Sequence, residues 1–244
     1  MSDNAPPTDE AQEVALRALL RVIAARNHPV ASRLLAATPV LARLALGAGA
    51  TREAAGQNFF TNIAHYVYAG DTPLHVAAAA YQRDIAEELV SRGAIVSARN
   101  RRGAEPLHYA ADGVPGSDAW DPEAQYAVAE FLIRAGADPN SEDKSGVAPL
   151  HRAVRTRSAG AVRALLASGA DALGRNKGGS TPLHLAVQNT GRGGSGSAAS
   201  RAEQAEIIRL LLGHGARPSD RNSTGRSVRD CANADWVLEL LRRD

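Results

Sequence analysis

The sequence predicts an all-α solenoid built from stacked pairs of short helices, and three observations lead to this prediction. A four-residue phrase ending in Pro-Leu-His occurs four times along the chain. A Gly-Ala pair closes each copy. Between the two phrases, aliphatic residues recur at the spacing of a helix. Because units this small cannot bury a core alone, neighbouring copies must stack to form a continuous one.

The opening phrase sets the helix starts and the period. It reads TPLH at 72–75, EPLH at 105–108, APLH at 148–151 and TPLH at 181–184, so successive copies are 33, 43 and 33 residues apart. Proline suits the first position of a helix, where its missing N–H is not needed. We expect Thr72 and Thr181 to cap the helices that follow through their side-chain oxygens. Glu105 and Ala148 replace this threonine in the second and third copies, so no threonine cap is expected there.

The closing phrase sets the helix ends. The glycines that follow the aliphatic runs are Gly93, Gly136, Gly169 and Gly215. Glycine readily adopts the left-handed conformation that ends a helix. Each copy is therefore predicted to be a helix, a turn and a second helix.

These motifs resemble the ankyrin repeat, whose pattern is T-P-L-H-x-A at a period of about 33 residues. The resemblance covers residues 66–244 and implies an ankyrin-repeat solenoid with a helical cap at each end. It divides the chain into a disordered N-terminus at 1–10, an N-terminal helical cap at 11–50, a long aromatic connector at 51–70, four repeats at 71–103, 104–146, 147–179 and 180–225, and a C-terminal capping repeat at 226–244.

Three segments depart from the period. The second and fourth repeats carry insertions, predicted to lie between their two helices at 112–125 and 189–204. These insertions either bind a partner or pack on each other. The connector at 51–70 holds four of the chain's aromatic residues, Phe59, Phe60, Tyr66 and Tyr68. Their rings either seal the junction between the cap and the first repeat or form a recognition surface.

Charge and hydrophobicity restrict the kinds of partner and the cellular location that the sequence allows. The formal net charge of +2 is too small to indicate a nucleic-acid or membrane partner by itself. Pro39 and Arg43 interrupt the most apolar stretch, 34–50, well short of the roughly 18 apolar residues of a membrane helix. The chain has a single cysteine, Cys231, and begins with the polar sequence MSDNAPPTDE, unlike a secretory signal. We expect a cytoplasmic protein without a membrane partner.

The sequence offers little for a catalytic or metal site. Four of its seven histidines belong to the repeated phrase, and stacked repeats about 10 Å apart hold them too far from one another to share an ion whose ligand atoms lie about 2 Å away. The glycine-rich stretch at 191–197 lacks the Gly-Lys-Ser/Thr ending of a phosphate loop. His65 is the exception, and a small-molecule or catalytic pocket of His65, Tyr66 and Asp112, between the connector, the first two repeats and the first insertion, is the alternative. The prediction is no enzyme, no metal and no cofactor.

The ankyrin resemblance implies a function in protein binding. Partners of this family usually contact the tips of the loops between repeats and the ends of the first helices, so we predict a rigid concave surface, aromatic at its N-terminal end and basic along the tips. The predicted contact residues are Tyr66, Tyr68, Asp71, Tyr81, Arg101, Arg102, Tyr109, Asp112, Trp120, Lys144, Arg155 and Lys177.

The basic residues among them form a stripe, which is either a solvated face or a binding site for an acidic protein segment. Nucleic acid is the alternative partner, but the small net charge argues against it. We expect a monomer, with self-association through the aromatic patch as the alternative.

Overall fold

The structure, a computed structural model, describes residues 9–113, 120–189 and 197–242. Its helices are α1 (Glu10–Ala24), α2 (His28–Ala37), α3 (Pro73–Ala79), α4 (Arg83–Ser91), α5 (Pro106–Ala111), α6 (Pro122–Arg134), α7 (Pro149–Arg155), α8 (Ala159–Ala167), α9 (Pro182–Ala186), α10 (Ala198–Gly213), α11 (Val228–Cys231) and α12 (Asp235–Leu240). The predicted all-α fold is confirmed. Among the described residues, no helix is long and apolar enough to cross a membrane.

Part of what the sequence predicts lies outside the described residues. This applies to the N-terminus up to residue 8, to 114–119 of the first insertion, to 190–196 of the second, and to 243–244.

The connector contains the main departure from helix. Strands β1 (Phe59–Phe60) and β2 (His65–Tyr66) form an antiparallel hairpin in which Phe59 pairs with Tyr66 and Phe60 with His65. Two short 3-10 helices, Gly56–Asn58 and Thr61–Ile63, flank and connect these strands, and a third, Pro39–Arg43, follows α2. The hairpin places the aromatic rings of the connector close together.

The chain forms two compact units, and each has its own core. The first unit contains residues 1–110 and 123–138, and the second contains 111–122 and 139–244. In the first unit Leu20, Leu74 and Leu89 are fully buried. In the second unit the fully buried residues include Leu165 and Leu211. Small aliphatic side chains fill both cores, as an aromatic-poor composition requires.

Each repeat has two turns, and different types of residue adopt the left-handed backbone conformation in them. The closing glycines adopt the predicted conformation, with φ values from 86° to 103°. The turn between the first and second helices instead has Tyr81 at φ 56° in the first repeat and Arg157 at φ 60° in the third. Non-glycine residues seldom take this conformation, so the sequence gives little warning of it.

The second helices of the inserted repeats are longer than predicted. α6 has 13 residues and α10 has 16, whereas α4 and α8 have nine each. The interval between the two helices is therefore partly helical. The predicted loops at 112–125 and 189–204 are corrected accordingly, because residues 122–125 belong to α6 and 198–204 to α10.

A buried glutamine accompanies each longer helix. The residue eleven positions before the closing glycine is Gln82, Gln125, Ser158 or Gln204 in the four repeats. In the first and third repeats its backbone N–H lies in the turn and donates to the carbonyl of Ala77 or Ala153 at 3.0 Å.

In the second and fourth repeats the same position lies inside the extended helix. Its side chain replaces the backbone donor. Nε2 of Gln125 donates to the carbonyl of Ala110 at 2.8 Å, and Nε2 of Gln204 donates to that of Ala186 at 2.7 Å. The end of the first helix thus keeps its hydrogen bond although the turn has changed.

Replacing Gln125 with leucine tests this substitution of donors. The variant leaves a buried carbonyl without its amide donor, and we expect a loss of about 2 kcal/mol in the free energy of unfolding. Urea denaturation followed by circular dichroism measures it. Gln57→Leu, at an exposed position of the same unit, is the control and is expected to change stability by less than about 0.5 kcal/mol. Equal stabilities for the two variants would contradict the role given to Gln125.

Glu88 on α4 joins the N-terminal helices to the first repeat. Its carboxylate accepts hydrogen bonds from the Ser32 hydroxyl on α2 and from the Arg92 guanidinium, and Nε2 of His28 lies 3.7 Å away. Burial alone raises the pKa of Glu88. The hydrogen bonds from Ser32 and Arg92, together with nearby positive charge, outweigh burial and lower this pKa below its ordinary value of 4.5.

The lowered pKa predicts a pH dependence. A carboxylate with a depressed folded-state pKa contributes stability that is present above its ordinary value and is lost as the pH falls through the folded-state value. The wild type is therefore expected to be more stable than Glu88→Gln at pH 7, and this difference should shrink as the pH falls below about 4.5. Denaturation of both proteins from pH 7 to pH 3 measures it. A difference that stays constant over this range would contradict the assignment.

Candidate interaction surface

The loops that lead into α5, α7, α9 and α11 share one hydrogen-bonded tip. This tip begins at Asn100, Asp143, Asn176 or Asn222. The side-chain oxygen of each accepts from the backbone N–H groups two and four residues later, at 2.8 to 3.2 Å. The backbone N–H of each also donates to the carbonyl four residues later, at 3.0 to 3.1 Å. The carbonyl of each also accepts the N–H of the glycine three residues later, at 2.7 to 3.0 Å. Four local hydrogen bonds therefore close each of these tips.

Neighbouring tips inside each unit are also joined through their backbones. In the first unit the N–H of Arg101 donates to the carbonyl of Ala69 at 2.8 Å. In the second unit the N–H of Lys177 donates to the carbonyl of Ser145 at 3.2 Å. Of the residues predicted to contact a partner, those at the tips thus lie on backbone that is joined to its neighbour.

Two arginines of the first unit hold the connector against the tip. The guanidinium carbons of Arg101 and Arg102 lie 5.5 and 5.1 Å from the centre of the Tyr68 ring, within the range of cation–π attraction. Arg102 also donates to the Tyr68 hydroxyl at 3.0 Å, and Arg101 donates to the carbonyl of Ala50. Both arginines remain exposed.

The aromatic rings of the connector form a cluster beside these arginines. The ring centres of Phe59 and Tyr66 are 4.8 Å apart, and those of Tyr66 and Tyr68 are 6.5 Å apart. Tyr66 is 40% exposed, whereas Phe59 and Tyr68 are half-buried. Phe59 and Tyr68 are thus partly covered by the protein, whereas the ring of Tyr66 is exposed to solvent.

The basic residues predicted in the second unit are uncompensated. Lys144, Arg155 and Lys177 are all exposed. Their side chains form neither a hydrogen bond nor an ion pair with any described residue. Their positive charges are therefore available at the tips and at the end of α7.

Three predicted contact residues are buried, which corrects that part of the prediction. Asp71 is 0%, Tyr109 1% and Tyr81 9% exposed. Asp71 accepts hydrogen bonds from Nδ2 of Asn100 at 2.8 Å, from the Tyr109 hydroxyl and from the backbone of Tyr68. These side chains turn inward to satisfy one another and support the surface from beneath.

Asp112 is also held by structural partners. Its carboxylate pairs with Arg152 at 2.9 Å, and the same guanidinium reaches Asp143 at 3.2 Å. Burial raises the pKa of Asp143, but hydrogen bonds from the Ser145 and Val147 backbone and from Arg152 outweigh it, so the pKa is lowered. Arg152 thus ties the tip at Asp143 to Asp112. Trp120 is half-buried and lies next to residues outside the described part.

The histidines of the repeated phrase have a capping role that the sequence prediction missed. Nδ1 of His75, His108, His151 and His184 accepts the backbone N–H of the residue before the proline, at 3.1 to 3.3 Å. Thr72 and Thr181 instead place their hydroxyls 3.0 and 2.8 Å from this nitrogen. Because histidine supplies the cap, the helices that follow Glu105 and Ala148 are capped although threonine is absent there. The carboxylate of Glu105 instead pairs with Arg99 at 2.9 Å.

Hydrogen bonding also fixes the protonation of these histidines. Because Nδ1 accepts, the ring proton is on Nε2, which donates to the carbonyl of Ala104 from His75 and to that of Ser180 from His151. Burial lowers the pKa of His151 and of His184. The rings of His75, His151 and His184 therefore bridge two successive loops.

His65 does not gain a catalytic setting. Its Nδ1 lies 2.7 Å from the carbonyl of Tyr66, and its ring packs against that of Tyr109 in a tilted arrangement with the centres 4.2 Å apart. No group of three or more His, Cys, Asp or Glu side chains able to hold a metal occurs among the described residues. The alternative of a catalytic pocket therefore receives no support from the geometry around His65.

One feature of this surface can be detected in the sequence. Asn or Asp stands five residues before Glu105, Ala148 and Thr181, and five before Ser227 at the start of α11. The first repeat departs from this, because Val67 stands five residues before Thr72. That recurrence signals the closed tips. The ion pairs of Arg152 have no such signal, because its partners lie 40 and nine residues away along the chain.

Comparison with known families agrees with the repeats seen in the structure. Residues 69–101 match the family model described as ankyrin repeat, and residues 123–222 match the model described as ankyrin repeats in three copies. No curated protein gives a significant match to the chain.

Proposed function

The chain belongs to the ankyrin-repeat family, whose repeats generally serve as protein-interaction modules rather than enzymes, and from this premise we propose that it binds another protein through its loop tips. The observation that carries the proposal is the combination of closed tips with uncompensated cations at Lys144, Arg155 and Lys177. A surface that is ordered before binding avoids the entropy cost of ordering loops in the complex.

Charge favours an acidic segment of the partner on the second unit. Exposed lysine and arginine without internal partners attract carboxylates and speed association at low ionic strength. An acidic segment would gain ion pairs there without breaking any. The same charges favour a protein over a nucleic acid, because only a few cations are involved and the net charge of the chain is +2.

The first unit supplies a different kind of contact. Tyr66 exposes its ring beside Arg101 and Arg102, which are already held against Tyr68. Tyrosine and arginine are enriched at the energetic centres of protein interfaces. We infer that this cluster contacts an apolar or aromatic group of the partner. We further propose a cytoplasmic monomer, in line with the single, buried and free Cys231.

Capture of partners from native lysate tests the proposed face. The wild type is compared with a variant in which Lys144, Arg155 and Lys177 are glutamate. A matched control carries glutamate at Arg52, Arg201 and Arg217, which are exposed and form no side-chain bond with the described residues, so both variants have the same net charge. We expect a protein that the wild type and the control retain and the tip variant loses. Equal loss in both variants would exclude the tips as the binding face.

A further inference from the structure

The C-terminal part of the second unit contains a cavity lined by arginines. It has a volume of about 420 Å³ and is bordered by Arg221, Arg229 and Arg242, with Ser219 and Ser227 beside them. Pro218 and Leu241 complete the wall. The site is open to solvent, and its volume lies within the range of about 300 to 1,000 Å³ found for sites that bind small ligands.

Backbone contacts hold two of these arginines in place. Arg229 donates from Nη2 to the carbonyl of Leu241 at 3.2 Å, and Arg221 donates from Nη1 to that of Gly225 at 2.6 Å. A guanidinium carries five N–H donors. Each of these side chains therefore keeps most of its donors for another group while its position is fixed.

The arginines of the cavity are not held in ion pairs: Arg221, Arg229 and Arg242 form none within 4 Å with any residue in the described part of the chain. Asp230 lies near Arg221. Its carboxylate accepts the backbone N–H of Ser227 at 2.8 Å, and attraction to Arg221 and Arg226 helps to lower its pKa. Three like charges around one cavity repel each other, and a bound anion relieves that repulsion.

The neutral donor at this wall is Ser219 and not Ser227. The Ser227 oxygen accepts the N–H of Asp230 at 3.1 Å, and the Ser227 hydroxyl is also hydrogen-bonded to the Asp230 carboxylate. Ser219 borders the same cavity and is exposed. The wall therefore presents donors of two kinds around a space that contains no acidic lining residue.

We propose that this cavity binds a phosphate monoester through Arg221, Arg229 and Arg242. A phosphate monoester carries a charge of about −1.5 to −2 and three acceptor oxygens, which match three guanidinium groups better than a single carboxylate does. The aliphatic wall of Pro218 and Leu241 accommodates the carbon to which the phosphate is attached. The site is separate from the loop tips proposed to bind a protein, and its test does not depend on them.

Calorimetric titration of the full chain tests the site. The probes are inorganic phosphate and phosphoserine with blocked termini, each compared with acetate at the same ionic strength, because phosphate also stabilises proteins through exclusion from their surfaces. We expect saturable binding of one phosphate probe per chain and none of acetate. Tighter binding of blocked phosphoserine identifies a phosphorylated side chain as the source, whereas tighter binding of inorganic phosphate would contradict a monoester as the ligand and indicate free phosphate.

Three variants make the test specific. Arg229→Gln and Arg242→Gln are expected to weaken phosphate binding at least tenfold. The side chain of Arg242 makes no hydrogen bond with a described residue, so its replacement leaves the fold intact even where that of Arg229 does not. Arg217→Gln, an exposed control outside the cavity, should bind within twofold of the wild type. Absence of saturable binding, or equal weakening in Arg217→Gln and Arg242→Gln, would overturn the proposal.

Discussion

Replacing Arg152 with methionine is expected to lower the free energy of unfolding of the second unit by about 3 to 5 kcal/mol. The guanidinium is buried and bridges the carboxylates of Asp112 and Asp143 at 2.9 and 3.2 Å. Methionine removes the positive charge and leaves two partly buried negative charges facing one another. Asp143 also closes a loop tip, so the variant should loosen the proposed binding face as well.

The two tryptophans provide a direct measurement of this effect. Trp120 and Trp236 both belong to the second unit, so fluorescence during urea denaturation follows that unit. Arg155→Met makes the same substitution at an exposed position three residues away and is expected to cost less than about 0.5 kcal/mol.

A double variant separates charge from packing. Adding Asp112→Ala to Arg152→Met should recover part of the lost stability, because one of the two uncompensated carboxylates disappears. A loss below about 1 kcal/mol for Arg152→Met, or additive losses in the double variant, would contradict the ion-pair account.

Replacing Asp71 with alanine is expected to lower the stability of the first unit by about 3 kcal/mol, since several buried donors lose their acceptor at once. Asp71 is fully buried and accepts from Asn100, the Tyr109 hydroxyl and the Tyr68 backbone. Tyr109→Phe removes only the hydroxyl and should cost about 1 kcal/mol. Asp84→Ala, at an exposed position on α4, is the control.

Circular dichroism during urea denaturation follows these variants. The expected order of stability is wild type and Asp84→Ala, then Tyr109→Phe, then Asp71→Ala. If Asp71→Ala is as stable as Asp84→Ala, then Asp71 does not organise the connector, and its place on a partner-binding surface would have to be reconsidered.

The sequence predicted the repeats well because their signals are local. Proline at a helix start and glycine at a helix end act through the backbone of one or two residues, and helical spacing needs only a short window. The fold class, the closing glycines and the exposed positions of Lys144 and Lys177 all follow from such signals. The His75 cap belongs to the same repeated phrase, although threonine was expected to supply it.

The mistaken contact residues fail for a different reason. Counting along a repeat places a Cα atom but does not give the direction of its side chain. Asp71 turns inward because Tyr109, 38 residues further along the chain, offers it a hydroxyl. Gln125 becomes a buried donor only because α6 begins earlier in its repeat than α4 and α8 begin in theirs. Interactions that depend on distant residues have no counterpart in a local pattern.

Hydrogen exchange of the chain with and without a captured partner tests the central claim most directly. The tip peptides span residues 99–105, 142–147 and 175–180. They should already exchange slowly in the free chain, because each tip is closed by local hydrogen bonds. Further protection on binding is expected at these tips and at the end of α7. Protection confined to α8 and α10, with unchanged exchange at every tip, would contradict the account.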